Sequence, residues 1–234
     1  MRSMSEAKIH ELTHIMEHLS PHTVFHIGPI PITTTVVTTW VMMIILFIVV
    51  FICTRNLTLV PRRGRQHLIE LFVLFIWSVL ENAMGRDGRR FLPLVGTLFI
   101  FILFLNLAWF IPGLKPPTMD LSTTAAFGVT TIILVQLIGI ANKGLGKYLH
   151  HFVSPNPAML PLNIVEECVK PVSLSLRLYG NMFGEKMVSS ILALLVPLIV
   201  PVPVQLLGVL MGFIQAFVFT LLTTTYIATM VHGH

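Results

Sequence analysis

The polar and apolar residues of this chain are segregated into long blocks. Four stretches contain no Asp, Glu, Lys or Arg, namely 27–54, 91–114, 121–142 and 187–231. Each is long enough to cross a hydrocarbon layer about 30 Å thick, and the last can cross it twice, with Pro197, Pro201 and Pro203 between the passes. Because isolated strands cannot satisfy their backbone in lipid, these stretches are predicted to be helices.

Residues 68–84 form a different kind of apolar segment. The segment contains Glu70, Glu81 and Asn82, and arginines flank both of its ends. This pattern is typical of a helix that lies at the interface or is buried shallowly, and that returns to the side from which it started.

Basic residues predict which side of the membrane each loop faces. Arginines follow the first span and precede the second, and lysines follow the third, whereas the opposite side receives only Lys115 and Asp120 between spans. By the positive-inside rule the arginine-rich loops are cytoplasmic. The amino terminus is therefore expected outside and, after five crossings, the carboxyl terminus in the cytoplasm.

The last two crossings are expected to be long. A helix from about 162 to 195 would extend roughly 50 Å, so it must tilt strongly, bend at Pro171 or lie partly in the membrane plane. The predicted fold is an all-α integral membrane protein with five membrane-crossing helices and one shallow helix, the last two crossings being long and strongly tilted. Residues 1–32 are predicted to be an extracytoplasmic N-terminal segment and 33–234 a single membrane domain, with helices at about 33–54, 66–85 (shallow), 91–111, 121–142, 162–196 and 204–231.

Composition and charge agree with a membrane protein. The chain is 55% hydrophobic and only 11% charged, whereas about a quarter of the residues of a soluble domain are charged. The net charge of +5 is distributed as a topology signal, so nucleic-acid binding is not expected. The two cysteines form no metal motif, and no cofactor is expected. Five histidines recur every four residues from His10 to His26, and we expect them on a solvated outer face, with metal binding or proton buffering as the weaker alternative.

One predicted helix carries a line of polar residues through apolar surroundings. Steps of three or four residues connect a set that we name the polar stripe: Glu166, Lys170, Ser173, Arg177, Asn181, Gly184 and Glu185. Lipid would penalise its charged and amide members, so the stripe is expected to face protein or water.

Arg177 is the most demanding member of the polar stripe. An arginine at membrane depth costs at least about 2.5–3.5 kcal/mol, and it cannot escape by losing its proton. Residues one turn away offer no counter-charge. A carboxylate on another subunit is the simplest partner, because such a pair at about 4 Å recovers about 4 kcal/mol at an effective dielectric constant near 20. The alternative is a structural arginine that contacts carbonyl groups or snorkels to an interface.

Small residues and an amide mark the last predicted helix. Gly208, Gly212 and Gln215 follow one another at four- and three-residue spacing. Small residues let helices approach closely, and Gln215 could then donate to a neighbouring helix. Gly180 and Gly184 are expected to provide a matching small face beside Arg177.

These motifs resemble a known family. The stretch KPVSLSLRLYGNMFGE, from Lys170 to Glu185, and the stretch IQAFVFTLLTTTYI in the last helix are similar to subunit a of F-type ATP synthases. The resemblance extends over nearly the whole chain, including NLAWFIPG, which begins at Asn106.

The resemblance implies a stationary, non-catalytic subunit in a bacterial cell (inner) membrane, with a ring of c subunits, peripheral-stalk b subunits and lipid as partners. Arg177 would face the ring carboxylates, and two aqueous half-channels would carry H⁺ or Na⁺ to and from the ring. Asn181 and Gln215 match the family's asparagine and glutamine, whereas the run before Glu185 is one residue shorter than usual. Glu185, Asn181 and Gln215 are expected in the outer half-channel or around Arg177. The remaining candidates are Glu166 and Glu167, toward the inner opening, and Ser173, on the polar stripe.

Two other functions compete with this interpretation. A self-contained cation channel or carrier would use Arg177 internally and would transport ions as a purified chain. A membrane-embedded enzyme would need histidines and carboxylates converging at one depth, whereas most histidines lie in the amino-terminal segment. The chain has no phosphate-binding loop, so ATP chemistry is expected on other subunits.

Overall fold

A computed structural model describes residues 23–27, 30–55, 64–110, 114–144, 146, 148, 160–195 and 201–232. Six α-helices lie in this part of the chain: α1 Thr34–Thr54, α2 Gly64–Met84, α3 Leu92–Asn106, α4 Leu121–Lys143, α5 Leu160–Leu195 and α6 Pro201–His232. Short 3₁₀ segments occupy Gly85–Phe91, Leu107–Phe110 and Pro117–Met119. The helical fold class is confirmed.

A two-stranded hairpin precedes the first helix. Strands β1 (Thr23–Ile27) and β2 (Ile30–Thr33) pair antiparallel, with Phe25 opposite Ile32 and Ile27 opposite Ile30. The sequence analysis did not predict this hairpin, because its apolar residues run without a charged break into the first span.

Four segments are long and apolar enough to cross a membrane. By length and composition they are Thr34–Thr54, Gln66–Asn106, Leu121–Lys143 and Pro203–Val231. Helix α5 is absent from this set because the polar stripe lowers its hydropathy. Its 36 residues nevertheless extend roughly 54 Å at 1.5 Å per residue.

Polar contacts tie α1 to the start of α4. The Thr35 hydroxyl donates to Asp120 Oδ2 at 2.8 Å, and Asp120 Oδ1 accepts from the Ser122 amide as the helix cap. Beyond Met42, which packs against Leu105, α1 presents mainly exposed apolar side chains. A surface of that kind is suited to lipid.

Helix α2 lies against α3 through aromatic contacts. The rings of Phe72 and Phe75 lie 5.7 and 5.8 Å from the ring of Phe99. At the other end of α2, a Cβ at Gly88 would lie 3.1 Å from Leu80, so the connecting 3₁₀ segment turns tightly. Leu68 lines a cavity of about 520 Å³ shared with the start of α3. The carboxyl end of α2 therefore adjoins the beginning of α3, and Leu68, near its amino end, shares a cavity with α3.

Helices α4, α5 and α6 enclose the main core with α3. Its fully buried side chains include Phe99, Leu174, Leu178, Phe219 and Ile227. Helix α4 reaches closest to α5 at Gly128, where an added Cβ would lie 2.6 Å from the Pro171 carbonyl oxygen. This core holds the polar stripe in place, because alternate positions of α5 are buried on the opposite side.

Candidate ion-pathway site

Arg177 is exposed on the outer surface of the helical bundle. Helix α5 is fixed at this level by Leu174 and Leu178, which are 1% and 0% exposed on its other side. Among the residues that the structure describes, Arg177 has no ion-pair partner. Leu176, beside it, is also exposed. The guanidinium group therefore lies on an apolar surface, away from the carboxylates of the polar stripe.

Asn181 and Glu185 face α6 instead. The Asn181 side-chain amide donates to the Met211 carbonyl oxygen at 3.3 Å. Glu185 lies so close to Gly208 that a Cβ there would overlap its carboxylate. Glu185 Oε2 is buried and has no hydrogen-bond partner among the described residues. The glycine on α6 thus makes room for an acid on α5.

Gln215 continues this buried polar region along α6. Its side chain is buried, and within the described ranges its Nε2 atom has no hydrogen-bond partner. Asn181 bonds Met211, and Lys170 lies over the ring of Tyr226. Gln215 lies between these two contact points on α6, as Arg177 does on α5. The amide and the guanidinium are therefore at about the same level of the bundle.

Asn106 is a polar residue of this region that the sequence analysis did not select as a site residue. It is buried at the end of α3, and its amide donates to the Gly212 carbonyl oxygen at 3.1 Å, while no residue that the structure describes bonds its Oδ1. The available signal was a lone amide within the uncharged block 91–114. This side of Arg177 is therefore polar, but three of its buried polar atoms, on Asn106, Glu185 and Gln215, form no hydrogen bond with the described residues.

An open cavity lies on the other side of Arg177. It has a volume of about 470 Å³ and is lined by polar residues Glu166, Lys170, Ser173 and Tyr226, together with Leu162, Val165 and Val169. Ser173 is one helical turn before Arg177. The cavity therefore approaches the guanidinium to within about one turn of α5.

Glu166 and Glu167 have different surroundings although they are neighbours in sequence. Glu166 is exposed and lies 3.4 Å from Lys170 Nζ. Glu167 instead accepts hydrogen bonds from the Gln136 amide on α4 and from Lys170. One carboxylate faces the cavity mouth and the other joins two helices.

Tyr148 extends the contact of Glu167 beyond α4. Its hydroxyl donates to Gln136 Oε1 at 2.5 Å. Burial raises the pKa of Tyr148, and the negative charge of Glu167 raises it further. The phenol is therefore neutral and able to donate throughout the ordinary pH range.

The glycines of α5 and α6 differ in what they contact. A Cβ at Gly212 would lie 3.2 Å from the Asn106 Cβ, and Gly208 abuts Glu185. At Gly180 and Gly184 an added Cβ would meet no described atom within 4 Å. The expected matching small face on α5 is therefore not packed against α6, and it remains open beside Arg177.

The histidine series falls mainly outside the described residues. His26 is described, and it is exposed. Within the described ranges, no group of three His, Cys, Asp or Glu side chains could hold a metal ion.

Comparisons with known proteins identify the family. The sequence model of the family described as ATP synthase A chain matches residues 36–228. An ATP synthase subunit a from Moorella thermoacetica is 63% identical over 219 residues, which cover 94% of this chain and 100% of that protein. ATP synthase subunit a 2 from Bradyrhizobium sp. is 40% identical over 89% of this chain and 93% of its own length. ATP synthase subunit a 1 from Hahella chejuensis is 42% identical over 70% of this chain and 69% of its own length. The chain belongs to the ATP synthase subunit a family.

Proposed function

We propose that this chain provides the path by which H⁺ or Na⁺ reaches and leaves the rotating c-ring, with Arg177 separating the two halves of the path. As a family member it is a non-catalytic membrane subunit of a bacterial ATP synthase, in a complex that contains the c-ring and b subunits. The observation that carries the proposal is an exposed arginine without an ion-pair partner among the described residues, on an apolar face of the bundle.

The face around Arg177 is suited to a protein partner inside the membrane. Val172 and Leu176 on α5 are exposed, and so are Leu210 and Ile214 on α6. Lipid could cover these apolar side chains, but it would leave the guanidinium unpaired at a cost of at least about 2.5–3.5 kcal/mol. A c-ring carboxylate at about 4 Å offsets that cost with about 4 kcal/mol at an effective dielectric constant near 20. These two energies are similar, so the pair can form and separate as the ring turns.

We assign the outer half-channel to the polar region between α3, α5 and α6. Its members are Asn106, Asn181, Glu185 and Gln215. Buried polar atoms are nearly always hydrogen-bonded to protein or to ordered water. The unbonded atoms of Asn106, Glu185 and Gln215 therefore support water molecules in this region, and a chain of waters is what an ion needs to approach the ring.

We assign the inner half-channel to the cavity that contains Glu166, Lys170, Ser173 and Tyr226. The cavity and the outer region lie on opposite sides of Arg177 along α5. An ion from the outer region neutralises a ring carboxylate, which then turns into lipid. After almost a full rotation the same carboxylate releases its ion into the inner cavity, beside which Glu167 is bonded to Lys170. The permanent charge of Arg177 repels a bound cation and favours the emptied carboxylate, so the ion cannot pass directly between the half-channels.

The proposed topology has five crossings, made by α1, α3, α4, α5 and α6, with the amino terminus outside and the carboxyl terminus in the cytoplasm. Arg55 ends α1, Arg89 and Arg90 precede α3, and Lys143 ends α4, which places these basic residues on one side by the positive-inside rule. Helix α2 is shallow in this arrangement, since it lies between the cytoplasmic end of α1 and the cytoplasmic start of α3 and so returns to the side from which it starts. Residues 1–32 are extracytoplasmic, residues 33–234 form one membrane domain, and α5 and α6 tilt strongly to fit the bilayer.

The central test replaces Arg177 in the complete ATP synthase. Inverted vesicles that carry Arg177→Ala are expected to lose ATP-driven ion pumping and ATP synthesis, whereas ATP hydrolysis by the soluble head continues. Arg177→Lys is expected to recover little, because lysine lacks the planar fork and keeps its charge less reliably when desolvated.

Arg89→Ala provides the matched control, since Arg89 is another exposed arginine and lies far from the polar stripe in sequence. This control should pump normally. Undiminished pumping by Arg177→Ala, in complexes shown to contain this chain, would refute the assignment.

A further inference from the structure

The residues Tyr148, Gln136, Glu167 and Lys170 form a continuous hydrogen-bonded series, which we name the inner brace. The Tyr148 hydroxyl donates to Gln136, the Gln136 amide donates to Glu167, and the Lys170 ammonium donates to the other Glu167 oxygen. The brace connects α5 to α4 and to the segment that follows α4. Each oxygen of Glu167 already accepts a hydrogen bond within the brace, and Glu167 is not among the residues that line the cavity.

Lys170 connects the inner brace to the cavity. Its side chain is only 12% exposed, and its Nζ atom lies 5.2 Å from the centre of the Tyr226 ring on α6. Its remaining near neighbour is Glu166, at 3.4 Å, whose side chain is 66% exposed. An ammonium group has three donors. Glu167 and Tyr226 fix the position of the ammonium group, and Glu166 is the neighbour that can move away from it.

We propose that Glu166 is the carboxylate that accepts the ion as it leaves the ring into the inner half-channel. Lys170, held by the inner brace, positions this acceptor and places a positive charge beside it. The inference rests on the proposed function. It gives the two neighbouring glutamates different roles: Glu167 joins the helices, and Glu166 exchanges ions.

The charges around Glu166 are consistent with this division. Lys170 and Glu167 face it from α5 and Tyr226 from α6, while Tyr148 and Gln136 lie behind Glu167. Lys170 places a positive charge beside the exposed carboxylate of Glu166. Exposed ion pairs are weak, so the pair does not prevent the proton from passing to water. The high pKa of Tyr148 keeps the brace from losing its first donor in this pH range.

The test compares variants of the brace in inverted vesicles that contain the complete ATP synthase. ATP-driven H⁺ pumping is divided by ATP hydrolysis and measured as a function of pH on the cytoplasmic side. Glu166→Gln is expected to lower this ratio at least fivefold and to flatten its pH dependence. Lys170→Met should lower it by a similar factor, whereas Lys170→Arg should stay within twofold of the unchanged enzyme.

Variants deeper in the brace should act through Lys170. Tyr148→Phe is expected to change the ratio of pumping to hydrolysis, and its pH profile, in the same direction as Lys170→Met. The change should be smaller, because Tyr148→Phe removes only the outermost donor of the brace. Adding Tyr148→Phe to Lys170→Met should change nothing further. Glu81→Gln, at an exposed glutamate of α2, is the matched control and should leave the profile unchanged.

Cysteine accessibility gives a second measurement that does not depend on activity. With Cys53 and Cys168 replaced by serine, Glu166→Cys is expected to react at least tenfold faster than Glu167→Cys with a membrane-impermeant thiol reagent added from the cytoplasmic side. Equal reactivity, or pumping by Glu166→Gln that equals the Glu81→Gln control, would overturn the inference. If Arg177→Ala abolishes pumping while Glu166→Gln has no effect, only this inference fails. If Arg177→Ala pumps normally, the proposed function fails.

Discussion

Replacing Gly208 with alanine should displace the carboxylate of Glu185 while leaving the helices packed. A Cβ at Gly208 would overlap Glu185 Oε1 and lie 2.7 Å from Oε2. Ordinary contact would require the nearer carboxylate oxygen, Oε1, to move by more than about 1 Å. The carboxylate is the far end of a flexible side chain, so it can move without a shift of either backbone. The substitution therefore relocates one functional group.

The size of the effect follows from this displacement. A misplacement of about 1 Å at a reacting group can reduce a rate by as much as about a hundredfold. The carboxylate of Glu185 is expected to move by at least that much, but water can bridge part of the change. We predict that Gly208→Ala lowers ATP-driven pumping about tenfold, which corresponds to about 1.4 kcal/mol.

A double-mutant cycle separates this mechanism from general damage. Pumping per ATP hydrolysed is measured in inverted vesicles for Gly208→Ala, for Glu185→Ala and for the double variant. If alanine acts through Glu185, the double variant should resemble Glu185→Ala alone, because residues in contact give non-additive effects. Gly96→Ala is the control, since a Cβ there meets no described atom within 4 Å. Fully additive losses, or normal pumping by Gly208→Ala, would refute the reasoning.

Three further substitutions test packing and the buried polar atoms. Gly128→Ala places a Cβ 2.6 Å from the Pro171 carbonyl oxygen, so it should destabilise the purified protein by about 1–3 kcal/mol. Its thermal midpoint in detergent should therefore fall, whereas that of the Gly96→Ala control should not. Thr35→Val removes the 2.8 Å hydrogen bond to Asp120 and should cost about 1 kcal/mol in the same assay; an unchanged midpoint would show that the contact contributes nothing. Gln215→Leu should reduce pumping without lowering the midpoint, because its Nε2 is buried and unbonded; a large drop in midpoint would indicate a structural role instead.

Several helix ends could be predicted from the sequence because charged residues lie next to them. The first span was predicted to start near residue 33, and α1 begins at Thr34. The third was predicted at 121–142, and α4 is Leu121–Lys143. Charged residues bound the α4 block on both sides, at Asp120 and Lys143, whereas for α1 only the end is marked, by Arg55; lipid strongly penalises a charge within such a block. The second span is less regular, since its α-helix ends at Asn106 and a 3₁₀ segment continues to Phe110.

The contacts between helices could not be predicted from the sequence in the same way. The bonds from Gln136 to Glu167 and from Asn106 to the Gly212 carbonyl depend on how two helices are rotated and shifted relative to each other. The periodicity of one helix shows which residues share a face, but it does not identify the partner of that face. The polar stripe was therefore predictable as a set, whereas the inner brace can be identified only from the three-dimensional structure.

The polar stripe is predictable as a set but it does not face one environment, and helix geometry explains why. An α-helix turns about 100° per residue, so a step of four residues advances the face by about 40°. From Glu166 to Arg177 the stripe uses steps of four, three and four, which nearly cancel, so that Arg177 lies only about 20° from Glu166 and all four residues stay within about 60° of one another. Beyond Arg177 the two steps of four, to Asn181 and Glu185, add up to about 80°. The inner part of the stripe therefore remains on the open face with the cavity, while the outer part turns toward α6, where Met211 and Gly208 receive it. Arg177 lies where the stripe changes direction, and a single helix can in this way present one side of the arginine to an open cavity and the other to a buried polar region.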